Sequence, residues 1–95
     1  MAERPMLMLV CYDIAEARAR ARVAAILEEQ AVRVQESVFE VRLTERQAAA
    51  LFDMLSHWVS PSDSLRMYGV SAAGLARSRA MGGAPIPDDA PYWIV

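Results

Sequence analysis

The pattern of apolar and polar positions predicts a buried strand near the start of the chain. Residues 6–12 are uncharged, and Asp13 follows them directly. A run of this length fits a buried strand and is too short to cross a membrane. Residues 16–30 then repeat apolar side chains at helical spacing, which predicts a helix. Its apolar stripe consists of Ala19, Val23, Ile26 and Leu27.

The middle of the chain predicts extended structure with one interruption. Residues 33–43 alternate apolar and polar positions, but the apolar parity changes between Gln35 and Val38. Because such a change turns the buried face over, it indicates either a β-bulge or a break into two short strands. The residues favour neither of these two forms.

A second helix is predicted by its capping residues. Thr44 and Gln47 have the spacing of a capping box, and Pro61 marks the expected end of the helix. The face that we expect to be buried consists of Ala48, Leu51, Phe52, Leu55 and Val59. His57 lies late in this helix without a partner motif, so we expect a structural or surface role for it.

The order of the elements predicts an α+β fold class, a ferredoxin-like βαββαβ sandwich with an extra C-terminal strand. Residues 65–70 supply the fourth strand, residues 71–81 are weakly helical, and residues 92–95 form the extra strand. We expect residues 1–81 to form the ferredoxin-like domain. Residues 82–95, a loop and the last strand, would pack on a dimer partner or on a partner protein.

Composition adds a reason to expect a homodimer. Of the 95 residues, 55% are hydrophobic, which is more than a small monomer easily buries. Two helices on one sheet face leave the other face open, and a second copy could cover it. The single cysteine, Cys11, lies in the first strand and cannot form an internal disulfide, so we expect a cytoplasmic protein.

Charge suggests local rather than general contacts with nucleic acid. Ten basic and twelve acidic residues give a net charge of −2, so a generally basic surface is absent. All the basic residues are arginines, whose planar guanidinium matches phosphate oxygens. Arg18, Arg20 and Arg22 lie in the first turns after Asp13. They are candidates for phosphate contacts, or else form an ordinary solvated helix face.

Asp13 is the main candidate for chemistry. A carboxylate at the exit of a core strand is held by rigid backbone and reaches solvent, which suits a metal ligand or a general base. It suits a helix N-cap equally well, and both interpretations stay open. One carboxylate holds Mg²⁺ poorly, but two Asp13 side chains across a dimer axis would suit phosphodiester hydrolysis.

Other chemistries lack their residues in this sequence. There is no Cys/His cluster for zinc, no glycine-rich phosphate loop, and no serine nucleophile with recognisable His and Asp partners. No segment is long enough to span a bilayer, so a membrane is not expected among the partners.

Three segments together resemble one protein family. Residues 10–14 (Val-Cys-Tyr-Asp-Ile) and residues 33–40 (Arg-Val-Gln-Glu-Ser-Val-Phe-Glu), with arginines between them, are similar to CRISPR-associated protein 2. Residues 63–68 (Asp-Ser-Leu-Arg-Met-Tyr) resemble the fourth-strand segment of that family. The resemblance covers about residues 6–70.

The resemblance implies a homodimeric endonuclease in which Asp13 of each subunit is catalytic and binds Mg²⁺. It implies nucleic-acid contacts by basic side chains, with three supporting residues. The basic residues are Arg18, Arg20, Arg22 and Arg33, and the supporting residues are Tyr12, Ser37 and Phe39. It also implies an adaptor role in spacer acquisition, bridging the CRISPR-associated protein 1 integrase and new spacer DNA.

Two alternatives remain. The same fold could act as a non-catalytic DNA-bridging adaptor in which Asp13 only caps the helix. It could also be a toxin-like, RNA-cleaving relative outside any CRISPR system. The residues do not choose between spacer DNA and single-stranded RNA as the substrate.

Overall fold

A computed structural model describes residues 3–87, which form a four-stranded antiparallel sheet with helices packed on it. The strands are β1 (Met6–Asp13), β2 (Val32–Gln35), β3 (Val38–Leu43) and β4 (Ser64–Val70). The helices are α1 (Ala17–Glu28), α2 (Glu45–Ser56) and α3 (Ala72–Ala76). The strand order β2-β3-β1-β4 is that of a ferredoxin-like sandwich, so the predicted fold class is confirmed.

The strand predicted at residues 92–95 lies outside the described residues. The division of the chain at residue 81 therefore stays a prediction. The weak helix expected over residues 71–81 forms only in its first half, as α3. No helix in the described part of the chain is long and apolar enough to cross a membrane.

Strand β1 divides the sheet into two faces. Val10 lies opposite Phe39 on β3 and Met67 on β4, and all three point towards the helices. We call this side the closed face. The side chains of the alternate residues, such as Leu9 and Asp13, lie on the other side, which we call the open face.

The core lies between the closed face and the two long helices. Its fully buried side chains come from both layers: Val10, Val23, Leu27, Phe39 and Leu55. Each such side chain contributes about 1.5–3 kcal/mol through burial. The helices contribute to this core through residues of their predicted apolar stripes, Val23 and Leu27 on α1 and Leu55 on α2.

The open face is partly covered. Leu7 belongs to it but is only 6% exposed, and Ala84, Pro85 and Pro87 line a groove together with Leu7. The tail thus covers the end of β1 where the strand begins. The end that carries Asp13 remains exposed.

The interruption between β2 and β3 takes both of the forms considered. Glu36 and Ser37 form a turn that separates two short strands. In addition, the pairing register shifts between Arg33 and Gln35. This irregularity turns the buried face over between the two strands, as the change of parity predicted.

The N-cap of α1 is Glu16, not Asp13. The Glu16 carboxylate accepts hydrogen bonds from the backbone N–H groups of Arg18, at 3.1 Å, and Ala19, at 2.9 Å. Asp13 lies three residues before Glu16, at the end of the strand, too early to cap this helix. The capping interpretation of Asp13 is therefore wrong.

Helix α2 begins as predicted and ends earlier than predicted. Thr44 and Gln47 form the complete capping box. The helix stops at Ser56, well before Pro61. At this end the Ser56 hydroxyl donates a hydrogen bond to the carbonyl of Asp53, and His57 Nδ1 lies 2.8 Å from the same oxygen. Phe52, expected on the buried face, is instead 37% exposed at the edge of the stripe.

Candidate functional site

Asp13 places its carboxylate at the end of the central strand. It is the last residue of β1, its side chain is exposed, and it lies on the open face. Within residues 3–87 this carboxylate makes no hydrogen bond and no ion pair. Because Glu16 caps α1, the Asp13 oxygens are available to an external ligand.

The loop after Asp13 is held from two sides. Arg20 Nη1 donates hydrogen bonds to the carbonyls of Ile14, at 2.9 Å, and Ala15, at 3.2 Å. The backbone N–H of Ala15 donates to Asp63 Oδ1 at 3.1 Å. A carboxylate whose flanking loop is fixed in this way keeps its place without contacts of its own.

Asp63 is a structural residue of the site that sequence reasoning missed. Its Oδ2 accepts hydrogen bonds from the backbone N–H and the hydroxyl of Ser60, both at 2.9 Å. The hydrogen bonds from Ser60 and Ala15 lower the pKa of this carboxyl below its usual value. In the sequence, the signal that points to Asp63 is its position as the first residue of segment 63–68.

Arg33 fixes the turn between β2 and β3. Its Nε and Nη2 donate to the carbonyl of Glu36, at 3.1 and 2.7 Å, and its Nη1 forms an ion pair with Glu28 at 2.9 Å. The Tyr12 hydroxyl donates to the same Glu36 carbonyl at 3.4 Å. The turn beside Asp13 is thus tied both to β1 and to the end of α1.

Tyr12 and Phe39 form the floor beneath this turn. Their rings stack with centroids 6.3 Å apart, and the Arg33 guanidinium lies 5.3 Å from the centre of the Phe39 ring. Burial raises the pKa of Tyr12, while the nearby charge of Arg33 and its hydrogen bond oppose that shift. Phe39 is fully buried, so it supports the site from below.

The structure brings most of the predicted site residues together. A groove of about 360 Å³ contains five of them: Tyr12, Asp13, Arg20, Arg33 and Ser37. Two other candidates, Arg18 and Arg22, line a separate groove on the far side of α1. The arginines therefore form two groups, although they follow one another closely in sequence.

The described part of one chain does not bring together enough ligand groups for a metal ion. Among the described residues, no group of three or more His, Cys, Asp or Glu side chains could hold a metal ion. Asp13 offers hard carboxylate oxygens, which Mg²⁺ prefers, but the ion needs more than one such group or several waters. The residues fit the ion only if a second copy places its own Asp13 nearby.

Comparison with known sequences identifies relatives. The model of the family described as CRISPR associated protein Cas2 matches residues 6–77. The CRISPR-associated endoribonuclease Cas2 of Mycobacterium tuberculosis is 42% identical over 65 residues, covering 68% of this chain. The match spans only 58% of that relative's length. The endoribonuclease Cas2 2 of Synechocystis is 35% identical over 79 residues, 78% of this chain and 82% of the relative.

Solved structures share the fold. Cas2 of Streptococcus pyogenes at pH 6.5 matches with a TM-score of 0.69 and 26% identity, covering 81% of this chain and 100% of that one. A chain of a partial Cas6-RT-Cas1–Cas2 complex matches with a TM-score of 0.72 and 27% identity, over 85% and 90% of the two chains. With the family model matching residues 6–77, the chain belongs to the CRISPR-associated Cas2 family.

Proposed function

We propose that this protein is a homodimeric, metal-dependent endonuclease that hydrolyses phosphodiester bonds of RNA or DNA. The observation that carries this proposal is the Asp13 carboxylate, exposed and without a partner among the described residues at the end of the central strand. Relatives that share the family are named endoribonucleases, which supports the same reaction class for this chain.

The groove around Asp13 suits a phosphodiester. Arg20, which forms no ion pair among the described residues, gives the groove a positive charge that favours an anionic backbone, whereas the charge of Arg33 is paired with Glu28. Bonds to backbone carbonyls keep both guanidinium groups in place. Asp13 is the residue that would hold Mg²⁺. When bound, such an ion supplies Lewis-acid stabilisation and activates water. The side chains of the groove bind and orient the strand.

The open face supports the homodimer. Leu9, Cys11 and Val38 lie there half-buried, and a second copy seated on them would cover apolar surface that the tail leaves open. An isologous contact on this face would place two Asp13 side chains on the same side of the assembly. The pair would complete the site that one chain only half supplies.

We further propose an adaptor role in spacer acquisition, with the CRISPR-associated protein 1 integrase as the partner. The support is the matching chain in a partial complex that contains Cas1 and Cas2. In this role the dimer bridges integrase copies and spacer DNA. The adaptor role would use the same surfaces whether or not the protein cleaves nucleic acid. Cleavage and assembly with the integrase are therefore tested separately.

The test replaces Asp13 by Asn. Asp13→Asn should lower metal-dependent cleavage of labelled RNA and DNA by at least about 100-fold, because the carboxylate that would hold the metal ion is replaced by a neutral amide. Its melting temperature should change little, since the side chain is exposed and unbonded. Asp53→Asn, the same change on the exposed surface of α2, is the matched control and should cleave normally.

Full cleavage by Asp13→Asn would overturn the catalytic proposal. Co-purification of the variant with the integrase and a short duplex reports on the adaptor role independently. Asp13→Asn should retain that association, because the carboxylate supports none of the described packing. A purified protein that never associates with the integrase would overturn the adaptor role alone.

A further inference from the structure

Helix α1 forms a ridge between two grooves. The groove on one side contains Asp13, and the groove on the other has a volume of about 650 Å³. The second groove is lined by Glu16, Arg18, Ala19, Ala21, Arg22, Ala25 and Trp58. Because Ala21 lines both grooves, they adjoin along the same stretch of α1. We call the second one the Trp58 groove.

Trp58 and Arg22 form an exposed cation–π pair in the Trp58 groove. The Arg22 guanidinium lies 5.3 Å from the centre of the indole ring, and Trp58 is 39% exposed. The backbone N–H of Trp58 donates to the carbonyl of Leu55 at 3.0 Å, which fixes the turn after α2. Stacked aromatic and guanidinium planes are surfaces on which nucleic-acid bases stack.

The positive charge of the Trp58 groove favours the binding of an anion. Arg18 and Arg22 lie four residues apart on α1, where like charges repel. Within residues 3–87, neither of them forms an ion pair with a carboxylate. Glu16 also lines the groove, but its carboxylate oxygens bond to the N–H groups at the start of α1. A bound phosphate would relieve the repulsion between the two arginines.

We propose that the Trp58 groove binds unpaired nucleotides of single-stranded RNA, the polymer that the names of the endoribonuclease relatives indicate. A base stacks on the Trp58–Arg22 pair, and Arg18 contacts the adjoining phosphate. This inference rests on the proposed function. The bound RNA is the molecule whose phosphodiester lies at Asp13, and from there it crosses α1 to reach the Trp58 groove. Single-stranded nucleic acid is required, because bases in a duplex are already stacked on one another.

The test measures binding of a fluorescently labelled 12-nucleotide single-stranded RNA, by anisotropy, in EDTA to prevent cleavage. Trp58→Ala should weaken binding about 5- to 150-fold, the range of one lost base–aromatic stack. Trp58→Phe should recover most of the affinity. Phe52→Ala is the matched control, an aromatic of similar exposure on α2 outside the groove, and should bind within about twofold of the parent.

A second measurement reports base contact directly. In a Trp93→Phe background the emission of Trp58 should be quenched when the RNA binds. Arg18→Ala should reduce the salt dependence of binding by about 0.7 in slope, the value for one lost phosphate contact to a single strand. These readouts remain decisive if Trp58→Ala does not fold.

Equal RNA affinities of the folded Trp58→Ala variant and the parent would overturn the inference, as would unquenched Trp58 emission on binding. Tighter binding of DNA of the same sequence, or of an acidic protein at this groove, would overturn the choice of RNA. If Trp58→Ala binds normally while Asp13→Asn still loses cleavage, the inference fails and the proposed function stands. If Trp58→Ala loses binding and Asp13→Asn cleaves normally, the inference stands and the catalytic part of the proposed function fails.

Discussion

The two faces of the sheet differ in what they contribute. On the closed face, Val10 and Phe39 are fully buried against the helices, and the rings of Tyr12 and Phe39 stack. On the open face, Leu9 is only half-buried and Asp13 is exposed. Adjacent residues of one strand therefore serve different ends. The closed face holds the fold together, and the open face keeps groups available for a second copy and a ligand.

The largest expected effect compares neighbouring residues of β3. Phe39→Ala on the closed face should lower the free energy of unfolding by about 3–5 kcal/mol, since it empties the centre of the core. Val38→Ala on the open face should cost about 1 kcal/mol, because the side chain is only half-buried. Urea denaturation of dilute protein gives both values. Equal losses would show that the two faces do not differ in this way.

The next effect concerns assembly. Light scattering at micromolar concentration should give about twice the 10.5 kDa chain mass for the parent. Leu9→Arg, a charge placed on the open face, should reduce this to the mass of one chain and abolish cleavage with it. Met54→Arg on the exposed side of α2 is the control and should remain a dimer. A parent protein that is monomeric would contradict the shared Asp13 site.

The smallest effect is a pH dependence that differs between the faces. Burial raises the pKa of Glu40, on the open face, above its usual 4.5, and the pKa of Tyr12, on the closed face, above its usual 10.0. An acid whose pKa is raised by folding contributes stability below its unfolded pKa, and that contribution is lost as pH rises through the folded value. Each residue therefore favours the folded state most when it is protonated.

Melting temperatures across a pH series test both groups. Glu40→Gln should be more stable than the parent near neutral pH, and the difference should shrink as pH falls towards about 4.5 and vanish below it. Above about pH 10 the parent should lose stability that Tyr12→Phe retains. A Glu40→Gln advantage that is constant from acidic to neutral pH would exclude titration of Glu40 as its cause.

Local patterns predicted the elements of this protein well. The parity change near Gln35 and the capping box at Thr44 each correspond to an observed feature, because both depend on residues close in sequence. The early end of α2 was not predicted, since Pro61 is the first helix-breaking residue after the capping box, whereas the helix ends at Ser56, where the side chains of Ser56 and His57 contact the Asp53 carbonyl. Hydrogen bonds from side chains to the backbone do not show in the periodic pattern of apolar residues, so that pattern does not predict them.

The site was predicted in part. The motif around Asp13 identified Tyr12, Arg33 and Ser37, which do line one groove. The sequence placed Arg18 and Arg20 together, but successive helix residues project in different directions, and α1 separates them. Asp63 was missed because its bond to the Ala15 N–H is a tertiary contact between distant parts of the chain.

That bond also sets the order in which the molecule can become functional. The Ala15 N–H and the Asp63 carboxylate are separated by 48 residues of chain, and Asp13 pairs with Ser64 at the end of the same strand. Closing so long a segment is slow compared with forming α1 or the β2–β3 turn. During synthesis, the loop beside Asp13 therefore stays unclamped until β4 has left the ribosome and joined the sheet, so an unfinished chain carries the carboxylate without an organised site.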